Sequence, residues 1–88
     1  MKTAQIVVCG RVQGVGYRYF AVDRALKLGV KGTVENKNNG NVEIYCQASE
    51  DKINEFIMLL KKGPALSRVD SVVINSLEMD EFNGFRVL

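Results

Sequence analysis

The sequence predicts a fold of the α+β class, a β-α-β-β-α-β sandwich followed by a short fifth strand, and three observations support this prediction. The β-branched run at residues 4–11 is typical of a strand. From Tyr17 onward, apolar residues recur with helical spacing instead. The segment "NNGN" then separates two further strand-like runs, as a hairpin turn does. The chain of 88 residues has the size of one small domain, and we expect residues 1–88 to form it.

The first helix is predicted over residues 17–28, because Gly29 supplies a C-terminal stop. Strands are predicted at residues 30–37 and 41–48. The Asn-Gly pair at 39–40 predicts a two-residue hairpin turn between them, since both residue types tolerate positive φ. The first helix should bury one apolar stripe, formed by Tyr17, Phe20, Ala21, Ala25 and Leu28.

A second helix is predicted to begin after Ser49, a good N-cap, with acidic residues at 50–51 where the helix dipole favours anions. It should end at Gly63, which is followed by proline. Residues 67–77 predict the fourth strand and residues 84–88 the fifth. The buried stripe of this helix should consist of Ile53, Phe56, Ile57 and Leu60.

This element order is the ferredoxin-like split arrangement, for which we predict an antiparallel sheet of order 4-1-3-2 with both helices on one face. A helix crossover makes strands one and two parallel and leaves room between them for strand three, which is antiparallel to both. The C-terminal ends of strands one and two therefore lie at the same end of the sheet. Asn36 and the loop at residues 12–17 are predicted to meet there.

Composition excludes several classes of function. The 12 basic and 10 acidic side chains leave a net charge of +2, too small to indicate nucleic acid by itself. No apolar run reaches about 18 residues, and the N-terminal apolar patch is too short for a signal peptide. We therefore expect a cytoplasmic protein without a membrane partner. The absence of histidine excludes a histidine base and a histidine-ligated metal site.

The two cysteines, Cys9 and Cys46, fit no metal-ligand spacing. Strand alternation places them on opposite faces of the sheet, so we expect no disulfide, in agreement with a reducing compartment. We expect neither a metal nor a cofactor. Nothing in the sequence demands an oligomer, and a monomer is expected.

The loop "GRVQGVGYR", residues 10–18, connects the first strand to the first helix. Its glycines let the backbone approach an anion closely, and the first N–H groups of a helix have no intrahelical partner. This arrangement suits a phosphate or carboxylate, and the guanidinium of Arg18 could hold two of its oxygens. The loop is neither a Walker motif nor a dinucleotide fingerprint. The alternative is a tight strand-to-helix connection with a solvated arginine.

Asn36 favours the anion-binding interpretation. By parity with Val34 it points toward the helix-covered face, where an asparagine is costly unless it is paired. Its amide could hold a water near a bound anion, since it offers both a donor and an acceptor. The alternative is an ordinary polar residue before a hairpin turn.

Two segments resemble the two signatures of one known family, and two further segments fit its pattern. These are "GRVQGVGYR", "GTVENKNNGNV", "GPALSRVDSV" and "FNGFRVL", and they resemble the acylphosphatases over nearly the whole chain. The resemblance implies an enzyme that hydrolyses the carboxyl-phosphate bond of small acyl phosphates to a carboxylate and inorganic phosphate. It also implies that no metal and no covalent phosphoenzyme is used.

By motif match, the resemblance assigns the phosphate-binding arginine to Arg18 and the water-orienting asparagine to Asn36. Two positions depart from the common pattern. Glu35 stands where many members carry arginine, and Asn39 stands where aspartate usually precedes the glycine. Glu35 should point away from the site by strand alternation, so we expect this departure to have a small effect on the rate. The phosphate-binding loop falls on Val12, Gln13, Gly14, Val15, Gly16 and Tyr17.

Two other functions are compatible with this strand order. An RNA recognition motif needs stacking aromatics on the central strands, where strand three offers only Tyr45 and strand one none, so we expect no nucleic-acid partner. A non-catalytic anion-binding or regulatory domain could use the same scaffold. Such a domain would bind phosphate without hydrolysing acyl phosphates.

Overall fold

The computed structural model describes all residues from Met1 to Leu88, and every predicted element is present within two residues of its predicted ends. The helices are α1 (Tyr17–Leu28) and α2 (Glu50–Lys62). The strands are β1 (Lys2–Arg11), β2 (Lys31–Asn36), β3 (Val42–Ala48), β4 (Arg68–Leu77) and β5 (Phe85–Val87).

The strands form one sheet of order β4-β1-β3-β2-β5, which confirms the predicted order of the first four. The pairs β1–β3, β1–β4 and β2–β3 are antiparallel. The prediction of a wholly antiparallel sheet is corrected by β5, which pairs in parallel with β2 and makes the sheet mixed. The cause is the segment 78–84, which carries the chain from one edge strand to the other. Gln47 holds this segment, because it accepts from the Phe82 N–H at 2.7 Å and donates to the Asp80 carbonyl at 2.8 Å.

Both helices pack on one face of the sheet around a single core, as predicted. Alternate residues of β1 and β3 point into it, so Ile6, Val8, Val42 and Ile44 are fully buried. Within the predicted stripe of α1, Phe20 and Leu28 are only half-buried. The helices contribute Tyr17, Ala21, Ala25, Ile53, Phe56, Ile57 and Leu60 to this core.

The β2–β3 hairpin is longer than the predicted two-residue turn. The backbone carbonyl of Lys37 accepts from the Gly40 N–H at 3.2 Å, and its backbone N–H donates to the Asn41 carbonyl at 2.9 Å. These bonds enclose a three-residue loop. Gly40 takes a left-handed φ of 92°, whereas Asn39 does not, so the two-residue turn is not formed. The side-chain oxygen of Asn39 instead accepts from the Asn41 N–H at 3.0 Å. This local bond favours the longer loop.

Both cysteines are free thiols on opposite faces of the sheet, as predicted. Cys46 belongs to the core, whereas Cys9 is half-buried. Burial raises the pKa of the Cys46 thiol to about 11, which keeps it protonated at neutral pH.

Neither helix is long and apolar enough to cross a membrane.

Candidate active site

A cavity of about 400 Å³ opens at the end of the sheet where β1 and β2 terminate. The loop after β1, the first turn of α1 and the last residue of β2 all contribute to it. Arg18 and Asn36, which the strand order predicts to be neighbours, face the same space. The lining residues are Val12, Gly14, Gly16, Tyr17, Arg18, Tyr19, Val22, Asn36 and Val87.

Gln13 and Val15 belong to the predicted phosphate-binding loop but do not line the cavity. Val15 packs half-buried against the core. The Gln13 amide turns away to the β2–β3 hairpin. The other six predicted residues do line the cavity.

The loop backbone at Gly14 and Gly16 takes left-handed φ values of 72° and 79°. A Cβ at either position would meet no atom within 4 Å, so glycine is required by the backbone conformation and not by space. Gly16 is the N-cap of α1, and no side chain caps this helix start. The first turn also lacks an acidic residue. The free N–H groups and the positive end of the dipole therefore face the cavity without an anionic partner from the protein.

The loop is anchored by two of its own side chains. Val12 and Tyr17 are each about 1% exposed and pack in the core, so only their backbone is available to a ligand. The Tyr17 hydroxyl donates to the Leu60 carbonyl at 2.6 Å, which joins the start of α1 to the end of α2. Burial raises the pKa of this phenol, which favours the neutral form.

Arg18 is exposed and forms no ion pair. Arg24 is paired with Asp23, and Arg68 lies 3.0 Å from the Asp70 carboxylate, whereas Arg11 and Arg86 also form no ion pair. Among the arginines, Arg18 alone lines the cavity. Its planar guanidinium is therefore free to bind two oxygens of one anion.

Asn36 carries the one buried side-chain polar atom that lacks a hydrogen-bond partner, its Oδ1. An unsatisfied buried acceptor costs about 1–3 kcal/mol, and such groups in folded proteins call for a functional explanation. Because this residue lines the same cavity as Arg18, its amide fits a role in holding a water molecule.

Glu35 does not line the cavity, as strand alternation predicts. The Lys37 Nζ lies 3.4 Å from the Glu35 carboxylate and 3.8 Å from that of Glu43. The hydrogen bond with Glu35 raises the pKa of Lys37. The negative charge at position 35 is therefore only partly offset, by one cation that Glu35 shares with Glu43, and it lies outside the cavity.

The comparisons with known proteins agree with this geometry. Residues 4–87 match the acylphosphatase family. The chain belongs to this family. It is 40% identical to an acylphosphatase of Vibrio parahaemolyticus over 88 residues, which cover 100% of this chain and 98% of that protein. It is 43% identical to an acylphosphatase of Thermus thermophilus over 81 residues, 92% of each chain.

The fold is shared more closely than the sequence. The crystal structure of acylphosphatase from Bacillus subtilis superposes with a TM-score of 0.97 at 32% identity, and the match covers 100% of this chain and 99% of that one. The resemblance of the signature segments to the acylphosphatases is therefore confirmed, and so is the ferredoxin-like fold.

Three residues that line the cavity are not predicted by the sequence: Tyr19, Val22 and Val87. Val22 lies one helical turn after Arg18, so the i, i+4 spacing could have identified it. Val87 reaches the cavity through the parallel pairing of β5 with β2, for which the sequence carries no local signal. No three Cys, Asp or Glu side chains come together in positions that fit a metal ion.

Proposed function

We propose that this acylphosphatase family member binds the phosphoryl group of its substrate in the cavity between the loop after β1 and the end of β2. Family membership identifies the chain as an enzyme that hydrolyses small acyl phosphates. One observation carries the residue assignment: the unpaired Arg18 lines one cavity together with Asn36, whose buried Oδ1 has no hydrogen-bond partner. In this proposal residues 1–88 act as one catalytic unit.

Binding is the work of Arg18 and the backbone of residues 12–17. The guanidinium neutralises two phosphoryl oxygens, and the N–H groups at the open start of α1 bind the remaining charge. The backbone donors are fixed before the substrate arrives, because α1 is packed in the core, and Arg18 is carried on the first turn of the same helix. Such preorganised donors stabilise developing charge strongly in a partly enclosed site.

The reaction needs little beyond positioning. Asn36 orients a water molecule, whose oxygen attacks phosphorus while the bond between phosphorus and the acyl oxygen breaks. The carboxylate departs with the electron pair, and the phosphoryl group accepts the proton from the water. Because phosphoryl transfer passes through a loose transition state, charge stabilisation and alignment supply most of the catalysis.

The remaining parts of the proposal concern the state of the protein. We expect it to act as a cytoplasmic monomer, and its two separated free thiols support a reducing compartment. We also expect activity without metal or cofactor. The lack of histidine and of any cluster of metal-ligating side chains supports this expectation.

Hydrolysis of a synthetic aryl acyl phosphate in the presence of EDTA tests the proposal. We expect steady release of phosphate that chelation does not change. Loss of wild-type activity on chelation would overturn the claim of metal independence. Phosphate binding without any hydrolysis would favour the non-catalytic anion-binding domain.

Asn36→Ala separates water orientation from phosphate binding. Removal of the amide should lower kcat about 10²- to 10³-fold, because one preorganised group is lost. The inhibition constant of inorganic phosphate should change by less than about threefold, since Arg18 and the loop backbone remain. Wild-type turnover in this variant would remove the asparagine from the mechanism.

A further inference from the structure

We infer that Gln13 is a positioning residue, which holds the hairpin that follows Asn36 against the phosphate-binding loop and acts on turnover through Asn36. The inference rests on the function proposed above. It concerns a residue that lies inside the loop at 12–17 but does not face the cavity.

The contacts of Gln13 cross from the loop to the hairpin. Its Nε2 donates to the Lys37 carbonyl at 2.8 Å and to the Asn41 carbonyl at 2.9 Å. These two carbonyls lie on opposite sides of the hairpin base, where Lys37 and Asn41 also bond each other. A carboxamide nitrogen has two N–H groups, so both donors are used. No other hydrogen bond joins residues 12–17 to residues 37–41.

The two sides of this link differ in how firmly they are held. On the loop side, Val12 and Tyr17 are buried in the core on either side of Gln13. On the hairpin side, residues 37–40 are exposed. The Gln13 amide therefore transmits the fixed position of the loop to the hairpin.

Asn36 adjoins this link: it is the last residue of β2, paired with Val42, and one peptide bond joins it to Lys37, whose carbonyl accepts from Gln13. Misplacement of a catalytic group by about 1 Å can cost about 10²-fold in rate. Arg18 is held separately by the first turn of α1. Loss of the link should therefore disturb the orientation of water more than the binding of phosphate.

Gln13→Met tests the link, since methionine has a similar length and no N–H donor. Gln5→Met is the matched control. The Gln5 Nε2 also donates two hydrogen bonds, to Glu43 at 3.0 Å and to Tyr45 at 3.4 Å, but these lie away from the cavity. We expect Gln13→Met to lower kcat about tenfold with the inhibition constant of phosphate changed less than about twofold. The control should leave both unchanged.

A double-mutant cycle with Asn36→Ala decides whether Gln13 acts through the asparagine. Residues that act as a unit are non-additive, so Gln13→Met should lower kcat less than about twofold in the Asn36→Ala background. An equal loss in both backgrounds overturns the inference. So does a rise in the phosphate inhibition constant as large as the fall in kcat, because Gln13 would then shape the phosphate site itself.

Stability measurements distinguish a loss of turnover from a loss of folded protein. Thermal unfolding of each variant establishes that assays are run on folded protein, and Gln13→Asn replaces the methionine variant if the latter is unfolded at the assay temperature. Asparagine keeps the amide on a side chain one methylene shorter, and we expect the same loss of kcat. Wild-type hydrolysis is measured in the same series. Its failure would refute the proposed function, whereas additivity with wild-type activity intact refutes only the role of Gln13.

Discussion

The two helices of this protein begin in opposite ways. The start of α2 is satisfied by its own sequence: the Ser49 hydroxyl accepts from the Lys52 N–H at 3.4 Å, and the first turn carries Glu50 and Asp51. The start of α1 has a left-handed Gly16 in place of a capping side chain and no acidic residue in its first turn. Both termini carry the same partial positive charge. One is neutralised by the protein, and the other has no anionic partner from the protein.

This difference explains why a glycine-rich loop alone is an ambiguous indication of an anion-binding site. A helix start becomes a binding site when capping groups are withheld and other ligand-binding groups face the same point. At α1 those groups are Arg18 and Asn36, which line the same cavity. At α2, Lys52 shares a hollow with Lys31, but Lys31 is paired with Glu81 and Ser49 caps the helix. This helix start therefore serves stability.

The largest expected effect comes from removing the cation at the open helix start. Arg18→Ala should lower turnover of an aryl acyl phosphate at least about 10³-fold, because the transition-state charge loses its main counter-charge. Lys52→Ala is the matched control, a first-turn cation of α2, and should leave kcat unchanged. Steady-state kinetics measures both. Comparable losses of kcat in the two variants would contradict the functional distinction between the two helix starts.

Changing the cap residues should separate the two helix starts by their effects. Gly16→Ala forces a side chain into a left-handed conformation and should cost about 1–2 kcal/mol of stability, together with weaker phosphate binding. Ser49→Ala should cost about 1 kcal/mol and leave turnover unchanged. Denaturant unfolding and phosphate inhibition provide the readouts. Unaltered phosphate binding in Gly16→Ala would mean that the loop conformation does not matter to the site.

A smaller effect is expected where the two helices meet. The folded state raises the pKa of Tyr17 above its ordinary value of about 10, so the folded protein binds more protons than the unfolded chain at alkaline pH. The unfolding free energy should therefore fall as the pH rises above about 10, with a further contribution from Cys46 above about 9. Tyr17→Phe should lose about 1 kcal/mol at neutral pH and show a shallower alkaline decline. An unchanged alkaline slope would contradict this account.

Much of the site follows from the sequence because its determinants are local or topological. The β-α-β crossover alone brings Asn36 to the end of the sheet that Arg18 occupies. Strand parity then turns Asn36 toward the helix side. The caps of α2 and the burial of alternate strand residues also have direct sequence signals, and the structure confirms them.

The features that the sequence did not predict depend on contacts between distant residues. The bonds of Gln13 join positions 24 and 28 residues apart, and no pattern of spacing indicates them. The parallel pairing of β5 depends on how Gln47 holds the segment 78–84. The hairpin loop was predicted too short, because the local bond of Asn39 outweighs the preference of an Asn-Gly pair for the two-residue turn.

The most direct test of the contrast between the helices is a titration of inorganic phosphate followed by the backbone amide chemical shifts. We expect saturable shifts at Gly14 to Arg18 and at Asn36, with no change at residues 50–52 in the first turn of α2. Saturable shifts that are equally large at both helix starts, or absent from residues 14–18, would contradict this expectation.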